Sequence, residues 1–378
     1  MSAQRRPYFV SLPVDLAAIG GLSLVTWGVL YALQNLSIYG GRTSTVISLG
    51  AMLVWIVNYP HFSATSYRLY RTQSNVDQYP LTAYLVPFLV LGGVALSLQS
   101  PTGFAPYFVK FFQIWSPYHF SGQSFGIAML YARRAGVSLS PLERTCLKWF
   151  IFSTYLALIS AFETGIRNFQ FFGVTYPALG LPEVVAQIAQ WTVFALGAAL
   201  LVLLVVRPLL ARRQVAWMAL VPAATQFVWF GAGQQLPSFA EFIPAFHSVQ
   251  YLLIAWSVQL KERLDEQQLT GSPAFMRMES ARWLAANICG GFALFWGLPH
   301  VVSWLGGQSL GLTTAVFFAA IQIHHFFVDG VIWKLKNPKV ASPLMVSIDD
   351  LLAAPARPPG AAAGTARELS RQVPYDRQ

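Results

Sequence analysis

The chain has 378 residues, of which 55% are hydrophobic, 15% aromatic and only 11% charged, with a mean hydropathy of +0.50. A soluble domain carries about 25% charged residues, so this composition excludes an ordinary water-soluble globule and points to an all-α, polytopic membrane protein. The net charge of +10 raises the question of nucleic acid, but the basic residues sit at the ends of apolar runs, where they set orientation; no nucleic-acid partner is expected, and the lipid bilayer is the expected surrounding.

A bilayer core is crossed by about 20 apolar residues in a helix. Ten such runs are predicted, near 13–38, 44–67, 80–99, 104–131, 145–166, 182–206, 214–235, 239–261, 280–305 and 309–335. Helix breakers separate them: Gly40-Gly41, Pro101, Pro141, Pro177, Pro237, Gly306-Gly307 and Pro338. The first run is too long for a cleavable signal peptide and reads as a span. The second carries Asn58, His61 and Thr65, and the fourth carries His119 and Gln123. The fifth ends near Glu163, with Arg167 four residues on as an ordinary partner. The eighth carries His247, Gln250 and Tyr251. The ninth ends near His300, which reads as interfacial or structural, and the tenth holds His324, His325 and Asp329. Asp15 and Glu241, near helix starts, read as capping or interfacial carboxylates. Cys146 and Cys289 are isolated and read as packing residues. Residues 1–339 form the expected transmembrane domain, and 340–378, rich in Ala, Pro and Gly, an expected flexible cytoplasmic tail. No internal repeat is visible.

Charge placement agrees with ten spans. With the N-terminus in the cytoplasm, 22 of the 25 Lys and Arg residues fall on the cytoplasmic side, and only Arg42, Lys110 and Arg167 on the other. Both termini are then cytoplasmic. A bacterial inner membrane is the expected location.

Five of the six histidines lie inside apolar runs. A polar side chain at membrane depth is costly and marks function, and several imidazoles on separate segments suggest one metal ion. His61, His119, His247 and His324 all lie on even-numbered runs, which share a direction. From the rise of a helix they occupy a slab roughly 10–15 Å deep. Each has a polar neighbour one turn away: Asn58 and Thr65 for His61, Gln123 for His119, Gln250 and Tyr251 for His247, Asp329 for His324 or His325. Such groups orient metal-bound imidazoles. For any single histidine, a hydrogen bond to a neighbouring helix is the competing reading.

Four short segments resemble the Brp/Blh family of membrane β-carotene dioxygenases. They are Pro60-His61; His119-Phe120; Phe246-His247-Ser248 running to Trp256; and His324 with Asp329 five residues later and Ile332-Trp333-Lys334 beyond. The resemblance implies a non-haem Fe(2+) site on His61, His119, His247 and His324, favouring His324 over His325. The chain departs from the family pattern at Tyr251, where a second histidine stands, and at Thr65, where an aspartate stands. The resulting expectation is a membrane oxygenase acting with O2 on an apolar, carotenoid-, isoprenoid- or lipid-like substrate, with Tyr251 and Asp329 as catalytic groups. Haem or copper electron transfer, and a non-enzymatic transporter or proton pathway, are the alternatives.

Overall fold

The computed structural model describes residues 7–36, 43–269, 272–334 and 343–353. Among them ten long helices run in chain order: α1 (Leu12–Asn35), α2 (Thr45–Tyr70), α3 (Leu81–Gln99), α4 (Ala105–Arg134), α5 (Pro141–Phe162), α6 (Glu183–Leu210), α7 (Trp217–Phe230), α8 (Ile243–Glu266), α9 (Pro273–Gly306) and α10 (Leu310–Ile332). Seven of them, all but α4, α7 and α8, are long and apolar enough to cross a membrane. The fold is thus a predominantly helical bundle of membrane type. Helix α7 has only 14 residues, and α4 and α8 bring Lys110, His119, Gln123, His247 and Gln250 into buried or half-buried positions. Their polarity belongs to the interior.

Five helices contain a widened, i→i+5 turn: Ala17–Gly21, Val54–Asn58, Leu81–Leu85, Val202–Val206 and Ala293–Gly297. Four of these turns end two residues before a proline: Pro60, Pro87, Pro208 and Pro299. A proline ring collides with the carbonyl four residues back and removes one donor. A wider turn moves that carbonyl aside, so the helix continues through the proline. The fifth turn depends on Gly20, at φ 152°, where a Cβ would lie 1.8 Å from Thr225 Oγ1. Only glycine lets α1 approach α7 so closely.

Helix α10 runs through the middle of the bundle, packed against α2, α3, α4 and α9. Its apolar neighbours include Val90, Val94, Val109 and Phe112. One end is closed by a hairpin absent from the sequence expectation: β1 (Asn168–Phe171) and β2 (Val174–Pro177), antiparallel, with Phe172 (φ 47°) and Gly173 (φ 83°) as the two-residue turn. Both left-handed residues suit the twist of a tight hairpin. Under it lies a buried ion pair, Lys110 Nζ to Glu163 Oε2 at 2.7 Å. Lys110 also donates to the Pro177 carbonyl, and Glu163 accepts from the Leu179 amide at 2.6 Å. The expected Glu163–Arg167 pairing is therefore corrected. Arg167 instead donates to the carbonyls of Ala161 and Phe162, which α5 leaves open at its C-terminal end.

At the other end, residues 343–353 form a short turn and the helix Ile348–Ala353. Composition assigns this stretch to a flexible tail, yet it packs. Leu344 is buried with Phe9, Tyr131 and Val258. Arg134 Nη1 donates to the Leu344 carbonyl at 2.6 Å, and Arg134 Nη2 to Ser347 Oγ at 2.8 Å. Asp15, read as a capping or interfacial carboxylate, is fully buried beside this clamp, accepting from the amides of Phe9 and Val10 and from Tyr131 Oη at 2.7 Å. The remainder of the expected tail, 340–342 and 354–378, lies outside the described residues.

Candidate metal centre

Each histidine arrives by a different local device. In α2 the widened turn Val54–Asn58 and Pro60 set the helix phase, and His61 follows fully buried. A Cβ on Gly291 would come within 2.6 Å of the Tyr59 backbone, so α9 presses directly on α2 just before His61. Helix α4 continues through Pro117 and presents His119 two residues on. Helix α8 presents His247, 1% exposed, and the buried centre of α10 presents His325.

The four rings converge. One ligand atom from each of His61, His119, His247 and His325 lies within 4.8 Å of the other three. The Nε2 atoms of His61 and His325 are 2.9 Å apart, and those of His325 and His119 are 3.0 Å apart. The His247 ring centroid lies 5.1 Å from that of His61 and 5.3 Å from that of His119. His247 stacks on Phe120 at 3.8 Å, its main-chain carbonyl accepts from Gln123 Nε2 at 2.9 Å, and neither of its ring nitrogens has a hydrogen-bond partner among the described residues.

This donor set fits a cation. A neutral imidazole carries one N–H and one bare nitrogen. A proton on His325 Nε2 can serve His61 or His119 well, not both, and does nothing for His247. A cation accepts every lone pair at once. Two nitrogens bound at about 2.1 Å and subtending a right angle lie about 3 Å apart, which the two Nε2 separations match.

The surrounding groups divide sharply. Thr65 Oγ1 touches His325 Nδ1 at 2.9 Å, Tyr251 Oη at 2.7 Å and Asp329 Oδ1 at 3.1 Å. Asp329 Oδ2 lies 3.4 Å from His325 Nε2 and 3.7 Å from His119 Nε2. The Tyr251 ring meets the His61 ring edge-on at 4.2 Å. Thr65, Tyr251 and Asp329 are therefore at the centre.

Asn58, Gln123 and Gln250 do not reach the rings. Asn58 accepts from Ser248 Oγ at 2.8 Å, Gln123 Nε2 also donates to Gln250 Oε1 at 3.2 Å, and Gln250 Nε2 donates to the Ile19 carbonyl at 2.7 Å. Sharing a helix face with a histidine is not enough when a neighbouring helix offers the amide a partner. These three tie α1, α2, α4 and α8 together instead.

His324, favoured by the family resemblance, is corrected to His325. Adjacent residues in a helix point about 100° apart, so only one of the pair can face the centre. His324 turns to Tyr70, with Nε2 to Oη at 3.4 Å. His300 bonds its own helix through Nδ1 and the Trp296 carbonyl at 2.7 Å, consistent with a structural role. Phe120 and Phe326 each cover one ring: Phe120 stacks on His247 at 3.8 Å and Phe326 on His119 at 4.8 Å. Their adjacency to His119 and His325 is the one sequence signal of this.

Compared with known protein families, with curated proteins and with solved structures, the chain matches none.

Proposed function

We propose that this chain is a membrane-embedded non-haem iron oxygenase of ten spans, with both termini cytoplasmic, acting on an apolar substrate drawn from the bilayer. The observation that carries the reading is the convergence of His61, His119, His247 and His325 at hydrogen-bonding distances that hydrogen bonds alone do not satisfy. Imidazole donors suit iron, copper and zinc. Ferrous iron is the choice that also accounts for the motif resemblance to the Brp/Blh family, and it supplies O2 activation when bound. Four convergent imidazoles argue against haem, whose macrocycle leaves only two axial positions to the protein.

The chain's own residues would hold the geometry and handle protons. Phe120 and Phe326 keep water from the rings of His247 and His119. Asp329 Oδ2, close to two ligand nitrogens, is placed to accept a proton, and Tyr251 Oη to give one through Thr65. Clustering of Arg68, Arg71, Lys261, Arg263 and Arg282 around Glu262, Asp265, Glu266 and Glu279 at one end of the bundle supports the cytoplasmic orientation of that end.

The test is elemental analysis of detergent-purified protein with an optical spectrum. About one iron per chain and no Soret band is the expected result. Copper or zinc in its place overturns the iron assignment. A folded protein without metal overturns the enzyme reading and favours a transporter or proton pathway.

A further inference from the structure

Thr65 occupies the junction of the centre, and its hydroxyl has more neighbours than it has protons. A hydroxyl offers one proton and two lone pairs. Thr65 Oγ1 faces His325 Nδ1, Tyr251 Oη and Asp329 Oδ1 within 3.1 Å, and the His61 carbonyl at 3.4 Å. Thr65 is fully buried, His325 and Tyr251 are buried, and Asp329 is half-buried.

With Asp329 as a carboxylate, one assignment satisfies the three short contacts together. With Nε2 of His325 directed at the cluster, its Nδ1 carries the proton and donates to Thr65. Tyr251 donates its hydroxyl proton to the second lone pair. The Thr65 proton then goes to Asp329 Oδ1. The His61 carbonyl, already an acceptor within α2, needs nothing from Thr65. Reversing the Thr65 proton toward Tyr251 would set Oγ1 against Asp329 Oδ1 with no proton between them. Reversing it toward His325 would place the Nδ1 lone pair inward and a proton on Nε2, among the other imidazoles.

We propose that Thr65 is the positioning residue of this centre: a single hydroxyl that fixes the tautomer of His325 and anchors Asp329 by Oδ1, so that Oδ2 faces the His119–His325 edge. It stands in for the direct carboxylate–imidazole contact common at metal sites, with one side chain inserted between acid and ring. The Thr65 methyl is not part of this role, so serine suffices and valine, nearly the same shape, does not. The inference rests on the metal-centre reading above.

The experiment titrates metal-free protein with Co(II), read by its visible ligand-field bands, and with Fe(II), in wild type, Thr65→Ser and Thr65→Val. Loss of such a supporting contact weakens metal binding by about 10–100-fold. Thr65→Val is expected to lose that much and to shift the Co(II) bands, and Thr65→Ser to stay within about threefold of wild type with unshifted bands, since it keeps the hydroxyl. If Thr65→Val fails to fold, Thr65→Ala carries the same comparison with serine. Wild-type affinity and bands in the valine or alanine variant overturn the proposal, as does a serine variant as weak as valine. Absence of Co(II) and Fe(II) binding in wild type overturns the metal-centre reading itself, and the Thr65 role with it.

Discussion

Helices α6 and α10 are both apolar enough to cross a membrane, but 22% of the most apolar stretch of α6 is buried and 61% of that of α10. Helix α6 exposes Val184, Ile188, Trp191 and Leu201. Helix α10 sends His325 inward among three other imidazoles and Asp329 toward Thr65. Hydropathy cannot separate the two, because a lipid-facing surface and a packed interior are equally apolar. What separates them is the rare polar side chain, tolerated only where the bundle gives it partners. Rim and centre should accordingly answer mutation in different currencies: the centre in metal, the structural interior in stability, the rim in neither.

The largest effect belongs to the centre. Ala at His61, His119, His247 or His325 is expected to reduce bound iron to background, while Ala at His324 or His300 leaves it unchanged. Elemental analysis of the six variants checks this, and equal iron in all of them would erase the distinction between centre and surroundings. Next comes the Lys110–Glu163 pair, buried but remote from the histidines. Lys110→Met strands a buried carboxylate and should cost roughly 3–5 kcal/mol, seen as an earlier thermal transition in detergent, with metal content per folded chain preserved. A loss of metal from that variant would show the two regions to be coupled. The smallest effect is at the rim: Phe88→Leu, at a side chain 77% exposed, should change stability by no more than about 0.5 kcal/mol and metal not at all.

Much of this was legible in the sequence. The positions of the ten long helices follow from apolar runs and their breakers, and three of the four converging histidines, with Thr65, Tyr251 and Asp329, follow from placing polar residues by depth and helical turn. The remainder required tertiary contacts. His324 and His325 cannot be told apart by depth, only by which face of α10 meets α2. Asn58, Gln123 and Gln250 lie one turn from a histidine, yet their amides are claimed by the side chain of Ser248 and the carbonyls of His247 and Ile19. The hairpin was hidden because its turn is Phe172-Gly173 and not one of the asparagine- or aspartate-glycine pairs that announce such turns. The packing of Leu344 and Ser347 against Arg134 was hidden because a few anchors, set in a stretch poor in apolar residues, suffice when the receiving surface is already built.

The widened turn at Val54–Asn58 carries one more residue than an ordinary helical turn requires. That surplus and Pro60 depend on each other, so α2 can lose a residue before His61 only together with the proline, and cannot lose one after it. Deleting a single residue within the turn while replacing Pro60 lets it relax to regular helix, with the flanking segments still in phase; with Pro60 kept, the carbonyl four residues back meets the ring again. The same deletion between His61 and Thr65 swings every following side chain by about 100°, carrying the Thr65 hydroxyl away from His325 and Asp329. Loss of a residue before His61 should therefore be accompanied by loss of Pro60.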